Sequence, residues 1–230
     1  MSETQSAFLD VERSSTGKRW RLRGDDERLG LALSQRFGLP EILGRIMAGR
    51  GVGLEDAEAF LNPNLRTQMP DPAHLNDMDR AVARVVQAIR QNEAIAVFGD
   101  YDVDGATSSA LLDRFFKAVG SDIAVYIPDR LKEGYGPNAT ALRKLAENGA
   151  KVVITVDCGI TAFDALEAGA QAGLDVIVVD HHVAEPRLPR AHAVINPNRL
   201  DDNSPHGQMA AVGVTFLLVA AVNRALRECG

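Results

Sequence analysis

The sequence is poor in cysteine and has no long apolar run. Its 230 residues include only two cysteines, Cys158 and Cys229, which excludes a disulfide framework and favours a reducing compartment. The longest apolar stretch, 209–222, is too short to span a bilayer, and no basic segment followed by an apolar one opens the chain. We therefore expect a cytoplasmic protein with no membrane partner.

An excess of basic residues is missing as well. Lysine and arginine number 25 against 31 aspartates and glutamates, so the formal net charge is −6. Proteins that bind nucleic acid usually carry a basic surface, and the charge balance mildly disfavours that class. Metal ions held by a carboxylate cluster would restore positive charge locally, however, so the net charge excludes little.

The pattern of the chain changes near residue 70. Residues 1–70 predict short amphipathic helices, which we interpret as a helical lead-in or cap that ends in a connecting loop at 62–74. Residues 71–230 alternate β-branched runs with helices, which predicts an α/β domain whose parallel β-sheet is flanked by helices on both faces. The predicted strands are 94–98, 123–127, 151–156, 174–179 and 193–195. The predicted helices are 26–37, 41–48, 54–61, 78–91, 105–119, 138–148, 162–172 and 212–227.

Acidic residues follow three of the predicted strands. They lie in the run 100–104, at Asp157 and in the run 180–182. Because the carboxyl ends of parallel strands meet at one edge of a sheet, we expect these side chains to converge. Crowded carboxylates repel one another unless cations are bound, and oxygen ligands mixed with imidazole suit manganese, magnesium or zinc. Two such ions activate a hydroxide for attack on phosphorus, which predicts a phosphoester or phosphoanhydride hydrolase.

Each motif by itself also fits a purely structural role. An aspartate at the end of a strand often caps the next helix, and a pair of histidines is more often a surface or core feature than a metal site. Cys158 is more typical of a small buried residue than of a nucleophile. Only the coincidence of three motifs at one edge favours a site.

Three segments are similar to motifs one to three of the DHH phosphoesterase superfamily. They read VFGDYDVDGATSSALL, ITVDCGITA and VVVDHHVAEPRLPRAHAVINPN. Within the superfamily the chain resembles the RecJ single-strand-specific exonucleases of DNA repair and recombination, over roughly Leu61 to Leu218. The resemblance implies 5′-to-3′ hydrolysis of single-stranded DNA with two manganese or magnesium ions. It also implies single-strand-binding protein and a helicase as partners.

The resemblance further implies roles for the acidic residues. Asp102 would bind one metal ion and Asp104 the other, and Asp157 would bridge both. Many relatives carry a histidine at the position of Phe98, and its absence here leaves two alternatives: the first metal ion has fewer protein ligands, or Asp100 is a substitute ligand.

The remaining candidates surround these ligands. His181 would bind the second metal ion, His182 would contact the scissile phosphate, and Asp180 would orient the histidines. Gly105 would allow a close backbone approach at the start of a helix. By residue type, we add a set of candidates for substrate binding, namely Thr107, Ser108, Arg130, Lys132 and Tyr135.

Two alternative functions stay open. One is a small-substrate DHH hydrolase that acts on pyrophosphate, polyphosphate or short oligonucleotides. The other is a non-catalytic module, either a receiver-like signalling domain or a catalytically incomplete DNA-binding fragment. The family's fourth motif is expected beyond the helix at 212–227 and is not reached by Gly230, so we expect the chain to be the N-terminal part of a longer protein.

Overall fold

The computed structural model describes residues 7–21 and 27–228. The chain divides into two compact units, Met1–Met69 and Pro70–Gly230. That the first unit serves as a lead-in or cap stays a prediction. Cys229 lies outside the described residues, as does the predicted start of the first helix at residue 26. No helix within the described ranges is both long and apolar enough to cross a membrane.

The first unit is built from short helices. Their bounds are α1 (Glu27–Phe37), α2 (Glu41–Gly49), α3 (Ala57–Leu61) and α4 (Leu65–Gln68). α1 and α2 pack closely because Gly44 has no side chain: a Cβ there would lie 2.1 Å from the carbonyl oxygen of Gly30. The predicted connecting loop at 62–74 is wrong in part, since α4 and a 3₁₀ turn at Pro72–His74 lie within it. The α4 helix forms because the Asn64 side chain accepts a hydrogen bond from the Arg66 amide.

The second unit alternates strands and helices. Its strands are β1 (Ile95–Gly99), β2 (Ile123–Tyr126), β3 (Val152–Val156), β4 (Asp175–Val179) and β5 (Ala193–Ile195). Its helices are α5 (Met78–Gln91), α6 (Val103–Ala118), α7 (Arg130–Glu133), α8 (Ala139–Glu147), α9 (Phe163–Gln171) and α10 (Ala211–Glu228).

The five strands form one parallel sheet in the order β2-β1-β3-β4-β5. Every residue of β1 and β3 is buried, as expected for strands covered on both faces. On one face the sheet packs against apolar residues of α5, α6 and α10, such as Phe116 and Leu217. On the other face it packs against α8 and α9, through Leu142 and Leu166. The predicted α/β class, with helices on both faces of a parallel sheet, is therefore confirmed.

Two elements differ from the prediction near the acidic edge. α6 begins at Val103 rather than at residue 105, because Asp102 accepts hydrogen bonds from the amides of Asp104 and Gly105 and thereby caps the helix. The loop that follows β2 contains the one-turn helix α7, whose first turn is capped by Asp129. Both differences arise from side-chain caps that the apolar pattern alone does not reveal.

Candidate metal centre

The carboxyl ends of β1, β3 and β4 lie side by side, because these three strands are neighbours in the sheet. The acidic turns that follow them therefore converge, as predicted. Two sets of potential metal ligands result, each with its ligand atoms within 4.8 Å of one another. The first set is Asp157, His181 and His182, and the second is Asp100, Asp102 and Asp157. Asp157 is common to both sets.

Asp157 occupies the centre of the cluster in a strained conformation. Its φ of 62° lies in the left-handed region, which aspartate adopts more readily than most residues but still uncommonly. Its side chain is almost completely buried, and its Oδ1 atom has no hydrogen-bond partner. A buried acceptor without a donor is costly, and such strain tends to be found at functional sites.

The ring of His181 faces this unpaired oxygen. Its Nδ1 lies 3.1 Å from the carbonyl oxygen of Met209, which can only accept a hydrogen bond, so Nδ1 carries the hydrogen. In the neutral ring, Nε2 is then a bare acceptor. It lies 3.2 Å from Asp157 Oδ1 and 4.0 Å from Asp104 Oδ2. Three acceptors that face one another form a site for a cation, and their oxygen and imidazole chemistry fits manganese or magnesium.

The second ligand set is crowded with carboxylates. Burial, reinforced by contact with Asp102, raises the pKa of Asp157 to about 8. Burial likewise raises the pKa of Asp100. Burial also opposes ionisation of Asp102, but the amide of Gly105 and other donors outweigh it and lower the pKa of that carboxyl. The cluster thus holds more acidic groups than it can ionise without cations.

The Asp180 side chain forms hydrogen bonds with the turn that contains His181 and His182, which we call the histidine turn. The side chain is fully buried, and its Oδ2 accepts a hydrogen bond from the Ile160 amide. Its Oδ1 lies 2.7 Å from His182 Nδ1, an ion-pairing contact that raises the pKa of His182. Because Nδ1 donates to Asp180, the Nε2–H of a protonated His182 is available to an anion, and the side chain is about half exposed.

The predicted substrate-binding residues separate into two groups. Arg130 and Tyr135 lie beside the cluster: the Arg130 guanidinium stacks 4.6 Å above the Tyr101 ring, and the Tyr135 hydroxyl donates to the Asp157 carbonyl at 3.2 Å. Tyr135 also approaches the ring of His182 edge to face, at 6.2 Å. These two side chains therefore lie beside the cluster, and their contact with substrate stays a prediction.

The other predicted substrate-binding residues have different environments. Ser108 is completely buried, which disfavours its predicted contact with substrate. The Thr107 hydroxyl donates to the Val103 carbonyl at 2.6 Å, and Lys132 pairs with Asp129 at 3.3 Å. Gly105 is buried against the turn that precedes its helix. Close packing requires glycine at this position, because a Cβ would collide with backbone atoms of that turn.

Several residues of the centre were not predicted individually. Phe98, at the position for which the family resemblance implies a histidine, has its ring buried in the apolar core against Tyr126. The Met209 carbonyl and the side chains of Asn196 and Asn198 bind the histidine turn, and none of them was predicted. The Asn-Pro-Asn sequence directly after β5 is the signal that could have indicated the two asparagines.

Comparison with known proteins identifies relatives of this arrangement. Single-stranded-DNA-specific exonuclease RecJ of Bacillus subtilis (strain 168) is 36% identical over 205 residues, which cover 89% of this chain and 26% of the relative. The exonuclease of the same name from Escherichia coli (strain K12) is 37% identical over 194 residues, covering 84% and 33%. The crystal structure of RecJ in complex with Mn²⁺ from Thermus thermophilus matches with a TM-score of 0.66 at 28% identity, covering 87% and 28%.

The predicted resemblance is confirmed by these similarities, although the chain spans only about a quarter to a third of the length of these relatives. A model of the DHH family, N-terminal domain, matches residues 94–229. This match covers more than half of the 230 residues and includes all three acidic turns. The chain belongs to the DHH family.

Proposed function

We propose that this chain carries metal-binding and phosphate-contacting residues of a 5′-to-3′ exonuclease that hydrolyses single-stranded DNA in repair and recombination. The observation that carries the proposal is the Asp157–His181 pair, in which the ionised carboxylate and the neutral imidazole present two hydrogen-bond acceptors to each other at 3.2 Å inside an acidic cluster. The single-stranded-DNA-specific exonucleases among the relatives support the substrate. The direction of digestion follows from the family resemblance alone.

The centre would hold two manganese or magnesium ions. Asp100, Asp102 and Asp157 would bind one ion, and Asp104, Asp157 and His181 the other, with Asp157 shared. The manganese-bound crystal structure of a relative supports this choice of metal. When bound, two such ions would activate water and neutralise the negative charge that develops on the oxygens of the phosphate.

His182 would bind the scissile phosphate. The buried Asp180 carboxylate accepts the Nδ1 hydrogen of His182 and raises its pKa, which favours the cationic ring. The exposed Nε2–H then donates to a phosphate oxygen and stabilises the negative charge that grows there during hydrolysis. Asp180 has no contact with the phosphate in this arrangement; it orients His182 and holds the proton on Nδ1.

Arg130 and Tyr135 would hold the DNA next to the centre. A guanidinium beside the cluster can donate to backbone phosphate oxygens, and an exposed tyrosine ring offers a surface on which an unpaired base stacks. Both contacts are independent of base sequence and suit a flexible single strand. Single-strand-binding protein and a helicase as partners, and a cytoplasmic location, belong to the same proposal and are supported only by the family resemblance.

The test compares two DNA substrates and one small one. With Mn²⁺, the protein should release mononucleotides from the labelled 5′ end of single-stranded DNA and leave a blocked 5′ end intact. Asp157→Asn should abolish this release, whereas Asp122→Asn, at an exposed acid outside the cluster, should not change it. Turnover of pyrophosphate without release of nucleotides would contradict the proposal and favour the small-substrate hydrolase.

A further inference from the structure

The backbone of the two histidines is hydrogen-bonded from both sides by side chains. On one side, Asp180 Oδ1 accepts from the amides of His181 and His182 at 2.8 and 3.2 Å. On the other side, the Asn198 amide group donates to the carbonyl of His181 at 2.5 Å, and the Asn196 amide group donates to the carbonyl of His182 at 2.9 Å. Three side chains therefore fix two consecutive peptide units.

The partners determine which end of each asparagine faces the histidines. Asn196 Oδ1 accepts from the backbone amide of Asn198 at 2.7 Å, so its Nδ2 must face the His182 carbonyl. Asn198 Nδ2 lies between two carbonyl oxygens, those of His181 and Gly207, the latter at 3.0 Å. An oxygen in place of either nitrogen would meet only lone pairs. Both positions therefore require the amide donor.

The same loop also orients the His181 ring. We call residues 196–209 the clamp loop. The Met209 carbonyl at its end accepts from His181 Nδ1, which turns Nε2 toward the acidic cluster. At its start, the buried Arg199 guanidinium donates to the Val194 carbonyl at 2.6 Å and pairs with Asp77 at 2.9 Å. The clamp loop is thus anchored to the body of the domain and can hold the histidines in place.

We propose that Asn198 and Asn196 are positioning residues, Asn198 for the metal ligand His181 and Asn196 for the phosphate-contacting His182. This inference rests on the proposed metal-dependent function. Groups that orient a metal ligand typically affect metal affinity strongly, because a ligand held slightly out of place loses its bond to the ion. Loss of the Asn198 donor should therefore weaken metal binding, and loss of the Asn196 donor should impair the chemical step.

The first experiment measures Mn²⁺ affinity by electron paramagnetic resonance. Asn198→Asp keeps the shape of the side chain but replaces the donor with an acceptor, and we expect affinity to fall by about 10–100-fold. Asn203→Asp adds the same charge at an exposed position of the clamp loop and serves as the matched control, with no loss expected. An added negative charge by itself would strengthen the binding of a cation. A lower Mn²⁺ affinity in Asn198→Asp therefore cannot result from the added charge.

Pulsed measurements on the same samples test the ligand directly. Wild-type protein should show the ¹⁴N coupling of an imidazole bound to manganese, and Asn198→Asp should weaken it. Asn196→Asp should keep both the coupling and the affinity, while kcat on single-stranded DNA falls. Equal loss of metal affinity in the two variants would overturn the assignment of separate roles.

A second variant guards against misfolding of Asn198→Asp. Gly207→Ala removes no polar group, but its Cβ would lie 2.7 Å from Asn198 Oδ1 and would displace that side chain. We expect a severalfold loss of Mn²⁺ affinity in a folded protein, and unchanged affinity would overturn the inference. If wild-type protein itself bound no Mn²⁺, the proposed function would fail; if it bound Mn²⁺ and all the clamp-loop variants matched it, only the positioning role would fail.

Discussion

His181 Nε2 lies 3.2 Å from Asp157 Oδ1, and neither atom has a hydrogen to offer the other when the ring is neutral and the carboxyl is ionised. Besides this unfavourable contact, Asp157 has a left-handed backbone conformation, and the pKa of its carboxyl is strongly raised. The residue at the centre of the site therefore opposes folding in the absence of cations. Stability and function are in conflict at this one position, which is common where an active site stores strain.

The pH dependence of stability should reveal this conflict. The Asp157 carboxyl has an ordinary pKa of 3.8 and a folded-state pKa of about 8, so the unfolded state releases its proton first. Its contribution to stability is complete below pH 4 and is lost as the pH rises to 8. We expect Asp157→Asn to melt at a higher temperature than metal-free wild type at pH 8, and at a similar temperature near pH 4.

Calorimetry with a matched variant checks this expectation. Asp122→Asn changes an exposed acid and should shift the melting temperature little at either pH. With Mn²⁺ at pH 8, wild type should instead melt at a higher temperature than Asp157→Asn. The ion stabilises wild type by binding to it, whereas the variant lacks a central ligand. If Asp157→Asn were less stable than metal-free wild type at pH 8, the conclusion that Asp157 opposes folding would be contradicted.

The charge of Asp180 should control the protonation of His182. Asp180→Asn keeps an acceptor oxygen for the histidine turn but removes the carboxylate charge that raises the pKa of His182. We therefore expect the pKa of His182 to fall in the variant. Nuclear magnetic resonance titration of the imidazole in metal-free protein measures it, with Asp164→Asn, outside the cluster, as control. An unchanged pKa would show that the ion-pairing contact does not favour the cationic ring.

Gly105 should tolerate no side chain. A Cβ at this position would lie 2.3 Å from the carbonyl oxygen of Asp100 and 2.5 Å from its nitrogen, and these backbone atoms cannot move away alone. Alanine normally stabilises a helix relative to glycine by about 1 kcal/mol. Here we expect Gly105→Ala to lower the free energy of unfolding by about 1–3 kcal/mol through overpacking.

Denaturant titration measures this loss. The neighbouring exposed residue supplies the control, because Thr107→Ala leaves the packing of α6 against β1 intact. Mn²⁺ affinity should fall together with stability in Gly105→Ala, since Asp100 and Asp102 flank the contact. A stabilised Gly105→Ala protein would show that α6 can shift without cost.

Substitution of a buried arginine at the amino ends of the strands should lower stability without changing metal binding. Arg84 is 8% exposed and pairs with Asp175 at 2.6 Å and with Glu93 at 2.5 Å, where β4 and β1 begin. Arg84→Met leaves two partly exposed carboxylates without their cation and should cost about 1–2 kcal/mol of unfolding free energy, because solvent screens the charges that remain. Because the metal centre lies at the other ends of these strands, Mn²⁺ affinity should not change. The exposed Arg80→Met is the control for both measurements.

The sheet could be predicted because its strands are short, β-branched and bounded by glycine and acidic residues. Strands such as Val152–Val156 are buried on both faces, and this leaves a clear signal in the sequence. The acidic edge followed from the topology, since residues after parallel strands converge. The resemblance then assigned roles that the convergence alone leaves open.

The parts of the site that sequence reasoning missed depend on backbone atoms and helix phase. The Met209 carbonyl that orients His181 has no side-chain signature, because any residue supplies the same oxygen. Ser108 was predicted to bind substrate together with Thr107, but consecutive helical residues point about 100° apart, and Ser108 is buried while Thr107 is exposed. The start of α6 depends on the capping oxygen of Asp102, which an apolar pattern does not register.

The double role of Asp102 predicts which residues would change in descendants that no longer need the metal centre. Its carboxylate caps α6 as well as facing Asp157, so replacing it removes helix stability. Replacing Asp157 relieves strain instead. Selection for folding alone would therefore retain Asp102 and erase Asp157. In relatives that have lost the metal centre, we therefore expect an aspartate at the position of Asp102 and a neutral residue at the position of Asp157.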